Sequence, residues 1–167
     1  MTAGVLVPVD EYVNSVFHPD CDFLEGRLVQ RNVGEINHGE VQTCCVVYIR
    51  THCKKFWAVV EVRVQVRPDR FRVPDVCIVA GGRPEGRVIV SPPSVVVEVL
   101  SPEDRMSEMH TRIQDYLAFG IPCVWVIDPE TRRANIYSAE GSREVKDGVL
   151  RDALGEIEVP LSALFSE

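Results

Sequence analysis

Val95-Val96-Val97-Glu98-Val99-Leu100, followed by Ser101-Pro102-Glu103-Asp104, is the stretch whose reading decides the fold. An aliphatic run broken by one carboxylate predicts a central strand buried on both faces, and a strand of that kind needs a layer on each side. The capping hydroxyl, the proline and the acids that come next are the opening of a helix. Met106, Met109, Ile113 and Leu117 give that helix its apolar stripe. Gly120 stops it, and Pro122 prevents continuation. Val124-Trp125-Val126-Ile127 then predicts a second buried strand, ended by Asp128-Pro129.

Working outward, the same logic sets the remaining elements. Upstream, Asp10 to Phe17 predicts a short helix, and Phe23 to Val33 a hairpin or meander around Glu25-Gly26. Val41, Cys44, Cys45, Tyr48, Ile49 and His52 recur at helical spacing, with Asn37 and Glu40 as an N-terminal cap, so a long helix is expected over 37–55. Val59 to Val66 alternates valine with polar residues and predicts one half-buried strand. After the turn Arg67-Pro68-Asp69-Arg70, Phe71 to Ala80 returns as a strand interrupted at Pro74-Asp75. Ala134 to Tyr137 and Val145 to Leu150 read as peripheral strands, and Ile157 to Phe165 as a tail that packs back. The expected class is α/β, a mixed central β-sheet flanked by helices, in a single domain over 1–167.

Composition narrows the functional classes. A hydrophobic share of 46% in 167 residues suffices for one core, and no segment has the composition of disorder. The net charge of −7 argues against a general nucleic-acid coat or an anionic-membrane binder, but leaves room for a local basic groove. No apolar run reaches the roughly 18–20 residues of a membrane span. Met1 to Val9 carries no positive charge, so no signal peptide is expected, and the chain is expected to be cytoplasmic. The six cysteines form no C-x-x-C pair and read as small buried hydrophobes.

Glu98 is the residue that does not belong. A carboxylate inside a buried strand costs several kcal/mol unless a cation, a donor set or a raised pKa accommodates it. Asp75, after Pro74 and before Val76-Cys77-Ile78-Val79-Ala80, poses a similar problem at a strand edge. Two acids on adjacent strands facing one cleft would be reconciled by a divalent cation such as Mg²⁺. The alternative is an Asp in a turn and a Glu salt-bridged to an arginine. Glu108, Arg112 and Tyr116 share one helix face, which spacing alone reads as a surface ion pair beside a tyrosine.

Pro74-Asp75-Val76, Val97-Glu98-Val99-Leu100-Ser101-Pro102, Tyr116-Leu117-Ala118-Phe119-Gly120-Ile121 and Trp125-Val126-Ile127-Asp128-Pro129, in that order, resemble the Uma2 family, also called DUF820. The resemblance covers about residues 10–165. It implies a restriction-endonuclease-like core of the PD-(D/E)XK nuclease kind, a metal-dependent phosphodiesterase using Mg²⁺ or Mn²⁺. It implies Asp75 and Glu98 as metal ligands, with the Val99 carbonyl as a third. Asp22 matches a further acidic active-site position that is normally Glu, and would bind a second metal or orient water. His38 matches a recurrent histidine. The chain departs from the nuclease signature where a lysine is expected two residues after the Glu, because Leu100 stands there. The position on the next helix that often supplies the lysine instead is Arg112. An arginine keeps its proton, so it suits stabilisation of a phosphorane and not general base work.

Arg63, Arg67, Arg70, Arg72, Arg83 and Arg87 form a local basic excess. They read either as a solvated sheet edge or as a phosphate-tracking surface. The nucleic-acid contacts expected from this pattern are Arg63, Arg67 and Arg72, with His38 at a helix start. Three functions therefore stand open at the level of sequence. One is a nuclease acting on nucleic acid, DNA foremost, as a homodimer. The second is a catalytically impaired module binding nucleic acid or a protein partner. The third is a homodimeric structural protein meeting its copy through positions such as Ile136 and Tyr137.

Overall fold

The computed structural model describes residues 6–32 and 34–166. Residues 1–5, part of the stretch read for a leader, and Val33 and Glu167 lie outside the described residues.

The valine run forms β7 (Val95–Val99), and every residue in it is buried. It lies parallel to β8 (Val124–Asp128), because α3 (Met106–Phe119) carries the chain back between them. On its other side β7 is antiparallel to β6 (Val76–Ala80), which pairs with the edge strand β3 (Phe56–Val60). β9 (Arg133–Ser138) and β10 (Gly141–Glu144) complete a six-stranded sheet of order β10-β9-β8-β7-β6-β3. The fold is thus the expected mixed sheet flanked by helices. α2 (Ile36–His52) covers one face, where Val41, Cys45 and Ile49 meet Val95, Val97 and Val99. α3 covers the other, where Met109, Ile113 and Tyr116 meet Cys77, Val96 and Val126.

A second sheet of four strands, order β2-β1-β5-β4, stands beside the first. It comprises the hairpin β1 (Cys21–Leu24) and β2 (Arg27–Gln30), with β4 (Val64–Arg67) and β5 (Arg70–Arg72). Its aromatic core is Phe23 and Phe71 packed on Tyr12 of α1 (Val9–Asn14). β11 (Val149–Arg151) and β12 (Glu158–Pro160) pair separately, and a short 3₁₀ turn at Leu161–Leu164 closes the α2 face.

Several expectations need correction. The single strand over 59–66 is two strands in different sheets. Glu61 takes a positive φ of 51°, its N–H donates to Asp75 O at 3.2 Å, and the chain turns out of one sheet into the other. Alternation of valines cannot register such a reversal at a non-glycine residue. The helix expected from Ser101 begins at Met106. Ser101 and Asp104 do bond each other, the Ser101 N–H donating to Asp104 Oδ2 at 2.8 Å, but they close a turn and not a helix. The cap expected at Asn37 is absent. α2 starts at Ile36, and Asn37 Nδ2 donates to Glu130 Oε1 instead. His52, expected in the apolar stripe, is exposed and stacks on Tyr48, with ring centroids 4.3 Å apart. Met106 is also exposed. Only Cys45, Cys77 and Cys123 are fully buried, and the other cysteines are half-buried. Ile136, proposed as an exposed dimer contact, is 5% exposed and belongs to the core.

Candidate functional site

The antiparallel register of β6 and β7 sets Val76 opposite Val97 and Cys77 opposite Val96. Asp75 directly precedes Val76, and Glu98 directly follows Val97, so the two acids flank the last pair of this ladder. Alternation turns Glu98 toward α3, together with Val96. Burial pushes the Cys77 thiol up, and the charges of Glu98 and Asp75 add to the rise. Asp75 is 2% exposed and Glu98 1%.

Each acid has its own donors. Asp75 Oδ1 accepts from Arg31 Nη2 at 2.9 Å and Gln42 Nε2 at 3.3 Å. Its Oδ2 accepts from the Val99 N–H at 2.7 Å and lies 3.3 Å from His38 Nε2. Glu98 Oε1 accepts from the Tyr116 hydroxyl at 2.5 Å, and Oε2 from Arg112 Nη1 at 3.3 Å. The two carboxylates diverge in charge state as a result. Burial works against ionisation of Asp75, but the His38 bond, the charges of His38 and Arg31 and the Val99 N–H outweigh it and hold its pKa below the ordinary value. Burial, reinforced by repulsion from Asp75, pushes Glu98 up to about 7, although Arg112 and Tyr116 work against the rise. For His38, burial works against the charged ring, and the bond and charge of Asp75 prevail, so its pKa is raised.

Gly34 shapes this arrangement. A Cβ there would sit 2.7 Å from His38 Nδ1, so only glycine lets the chain pass this close to the ring that faces Asp75.

Asp22 lies on β1 with both oxygens engaged. Arg72 Nη1 donates to Oδ2 at 2.7 Å, and the Val73 N–H to Oδ1 at 3.0 Å. Arg72 also grips Asp115 of α3, which in turn accepts from Arg70, itself bonded to Glu25. The series Asp22, Arg72, Asp115, Arg70, Glu25 therefore ties the hairpin to α3. Asp22 lines a cleft of about 270 Å³ with Arg31 and Arg112, adjoining the Asp75–Glu98 centre.

The structure brings Asp22, Asp75, Glu98, Val99, His38 and Arg112 into one neighbourhood. It does not bring the arginine row there as a free surface. Arg63 donates to Tyr12 O at 2.7 Å, to Ser15 O and to Asp20, and lies over the Tyr12 ring, so it staples α1 to the second sheet. Arg72 is 4% exposed and saturated by carboxylates. Of the three arginines expected to contact phosphate, Arg67 alone faces solvent, and it pairs with Glu25 and Asp69. Arg63 precedes β4 and Arg67 ends it, and the pairing of β4 with β5 shifts register between Gln65 and Arg67, so their shared parity in sequence does not place them in one row. Arg31, Gln42 and Asp115 were not foreseen. Each contacts a residue more than 30 positions away, and no local spacing announces such a contact.

The donor chemistry suits a hard cation in kind. Asp75 and Val99 line a cavity of about 20 Å³ together with Arg31, His38, Ser101, Asp104 and Arg112. That is room for one water-sized occupant. Ser101 Oγ, buried at the same cavity, has no hydrogen-bond partner among the described residues. Among those residues no group of three or more His, Cys, Asp or Glu side chains is placed to hold a metal. A metal would therefore rest on Asp75, Glu98 and the Val99 carbonyl, and Arg31 and His38 already stand on Asp75.

Comparison with known proteins bears on this centre. A family model described as Uma2, "putative restriction endonuclease", matches residues 11–162. A solved structure from Anabaena variabilis, described as a putative nuclease belonging to DUF820, superposes with a TM-score of 0.79. It is 21% identical and covers 95% of this chain and 98% of its own, a likeness that speaks to the fold. No curated protein matches the chain. Among the described residues no helix is long and apolar enough to cross a membrane.

Proposed function

The chain belongs to the Uma2 family, and from that premise we propose that it is a metal-dependent endonuclease hydrolysing phosphodiester bonds of nucleic acid, DNA foremost. The observation that carries the reading is the burial of Asp75 and Glu98 at the end of the β6–β7 ladder, with the Arg112 guanidinium on Glu98 and a Ser101 hydroxyl that has no partner among the described residues. Buried acids arranged so that one ionises easily and the other with difficulty are typical of sites tuned for chemistry.

Asp75, Glu98 and the Val99 carbonyl would hold Mg²⁺ or Mn²⁺. When bound, such a cation supplies Lewis acidity and an acidified water. Arg112, its pKa raised chiefly by Glu98 against the effect of burial, stays charged and would stabilise the negative charge that builds on the phosphoryl oxygens. It serves as no proton acceptor. Tyr116 holds Glu98 Oε1 and orients that carboxylate. Asp22, held by Arg72, lines the adjoining cleft and would orient a water there. Cutting both strands of a duplex takes two such centres, so a homodimer is expected on DNA, a matter for light scattering with and without DNA.

Calorimetric titration of Mn²⁺ tests the site directly. Wild type should bind, and Asp75→Ala should not. Equal binding by the two proteins would remove Asp75 from the reading.

A further inference from the structure

The acceptor arithmetic at Asp75 singles out one residue. A carboxylate offers about four acceptor positions, and all are taken: Arg31 and Gln42 on Oδ1, the Val99 N–H and His38 on Oδ2. The Val99 amide is fixed in β7, and Gln42 is a buried residue of α2. His38 stands on Oδ2, the other oxygen from the one Arg31 holds. Arg31 cannot lose its proton, so it can leave only by moving.

Arg31 is also placed at the centre of the acids. Its side chain is 13% exposed. Besides the bond to Asp75, the charges of Glu98 and Asp22 act on it. It follows β2 directly, outside the strand's ladder, and lines the small cavity by Asp75. It also lines two larger clefts, of about 490 Å³ with Gln30, Ser101 and Glu103, and of about 270 Å³ with Asp22 and Arg112. A long side chain that lines all three spaces has somewhere to go.

We propose that Arg31 is the internal counter-ion of this centre, holding the seat among Asp75, Glu98 and Asp22, and that a divalent cation enters by displacing its guanidinium into the neighbouring cleft. The inference rests on the metal reading above and adds to it the residue that sets metal affinity. Arg31 neutralises the acids while no metal is bound, and for the same reason it competes with the metal.

Two measurements test it. In calorimetry with Mn²⁺, Arg31→Gln should bind about tenfold or more tightly than wild type, the scale on which one adjacent charge biases a buried site. In wild type, phenylglyoxal labelling followed by mass spectrometry should show Arg31 protected without metal and reactive at saturating Mn²⁺, while Arg72 stays protected throughout. Equal or weaker binding by Arg31→Gln, with wild-type binding still abolished by Asp75→Ala, overturns the role of Arg31 and leaves the metal site standing. Absence of binding by both wild type and Arg31→Gln overturns both. If Arg31→Gln does not fold, labelling decides alone: Arg31 reactivity unchanged by Mn²⁺ overturns the proposal.

Discussion

The Tyr116 hydroxyl donates to Glu98 Oε1 at 2.5 Å, joining the buried face of α3 to the one carboxylate inside β7. Sequence spacing alone put Tyr116 beside a surface ion pair of Glu108 and Arg112. The structure instead turns Arg112 and Tyr116 inward onto Glu98 and leaves Glu108 exposed. Tyr116→Phe removes one donor from a buried carboxylate and should cost about 1–3 kcal/mol in urea unfolding. It should also weaken Mn²⁺ binding by loosening Glu98. An unchanged unfolding midpoint and unchanged Mn²⁺ affinity would show that the bond orients nothing.

Stability should depend on pH through Glu98. Its pKa rises from 4.5 to about 7 on folding. Below about pH 4.5 the group is protonated in both states and costs nothing. Between that value and about 7 the unfolded chain releases a proton that the folded chain retains, so stability falls as pH rises and then levels off. The loss is on the order of 3 kcal/mol. Glu98→Gln removes this dependence, so without metal the wild type should lose stability relative to the variant between pH 5 and pH 8. Parallel curves for the two proteins would contradict the assignment. Asp75 acts in the opposite sense. Its lowered pKa contributes stability above about 3.8 that is lost as pH falls further.

The ladder from Asp22 to Glu25 should divide sharply by burial. Arg72→Ala leaves Asp22 and Asp115 without their shared cation and should destabilise by about 3–5 kcal/mol. Arg67→Ala, half exposed between Glu25 and Asp69, should cost no more than about 1 kcal/mol. Chemical denaturation of the two variants measures both. A small effect at Arg72 would mean that the hairpin is held to α3 by something else.

Gly34→Ala should act on His38 without touching it covalently. The added Cβ would meet Nδ1 at 2.7 Å, and the ring is expected to shift from its place beside Asp75. The His38 pKa, raised by Asp75 in the wild type, should fall toward its ordinary value of about 6.5. Proton NMR titration of the ring reads this, and an unchanged His38 titration would show that the ring keeps its contact.

What was legible followed from patterns that act locally. The buried strand around Glu98, the helix stop at Gly120 and the second buried strand at Val124–Ile127 are written in hydrophobic runs and punctuation, and the structure has all three. The misfit of a carboxylate in an aliphatic run exposed Glu98 for the same reason. The identity of its cation was not legible. Arg112 is 14 residues from Glu98, and Arg31 is 44 from Asp75. The first contact needs α3 laid on β7, and the second needs the two sheets side by side, an arrangement that turns on the φ reversal at Glu61, which no alternation of valines encodes. The arginine-rich stretch misled for the same reason: composition counts charges but does not say which are spent on Asp20, Asp22 and Asp115.

The most direct test of the account is cleavage of a panel of single- and double-stranded nucleic acids by wild type and Glu98→Gln, with Mg²⁺, with Mn²⁺ and with EDTA. The account predicts cation-dependent cleavage by wild type and none by the variant. Cleavage that persists in Glu98→Gln or in EDTA, or a wild type inert on every substrate with both cations, would contradict it.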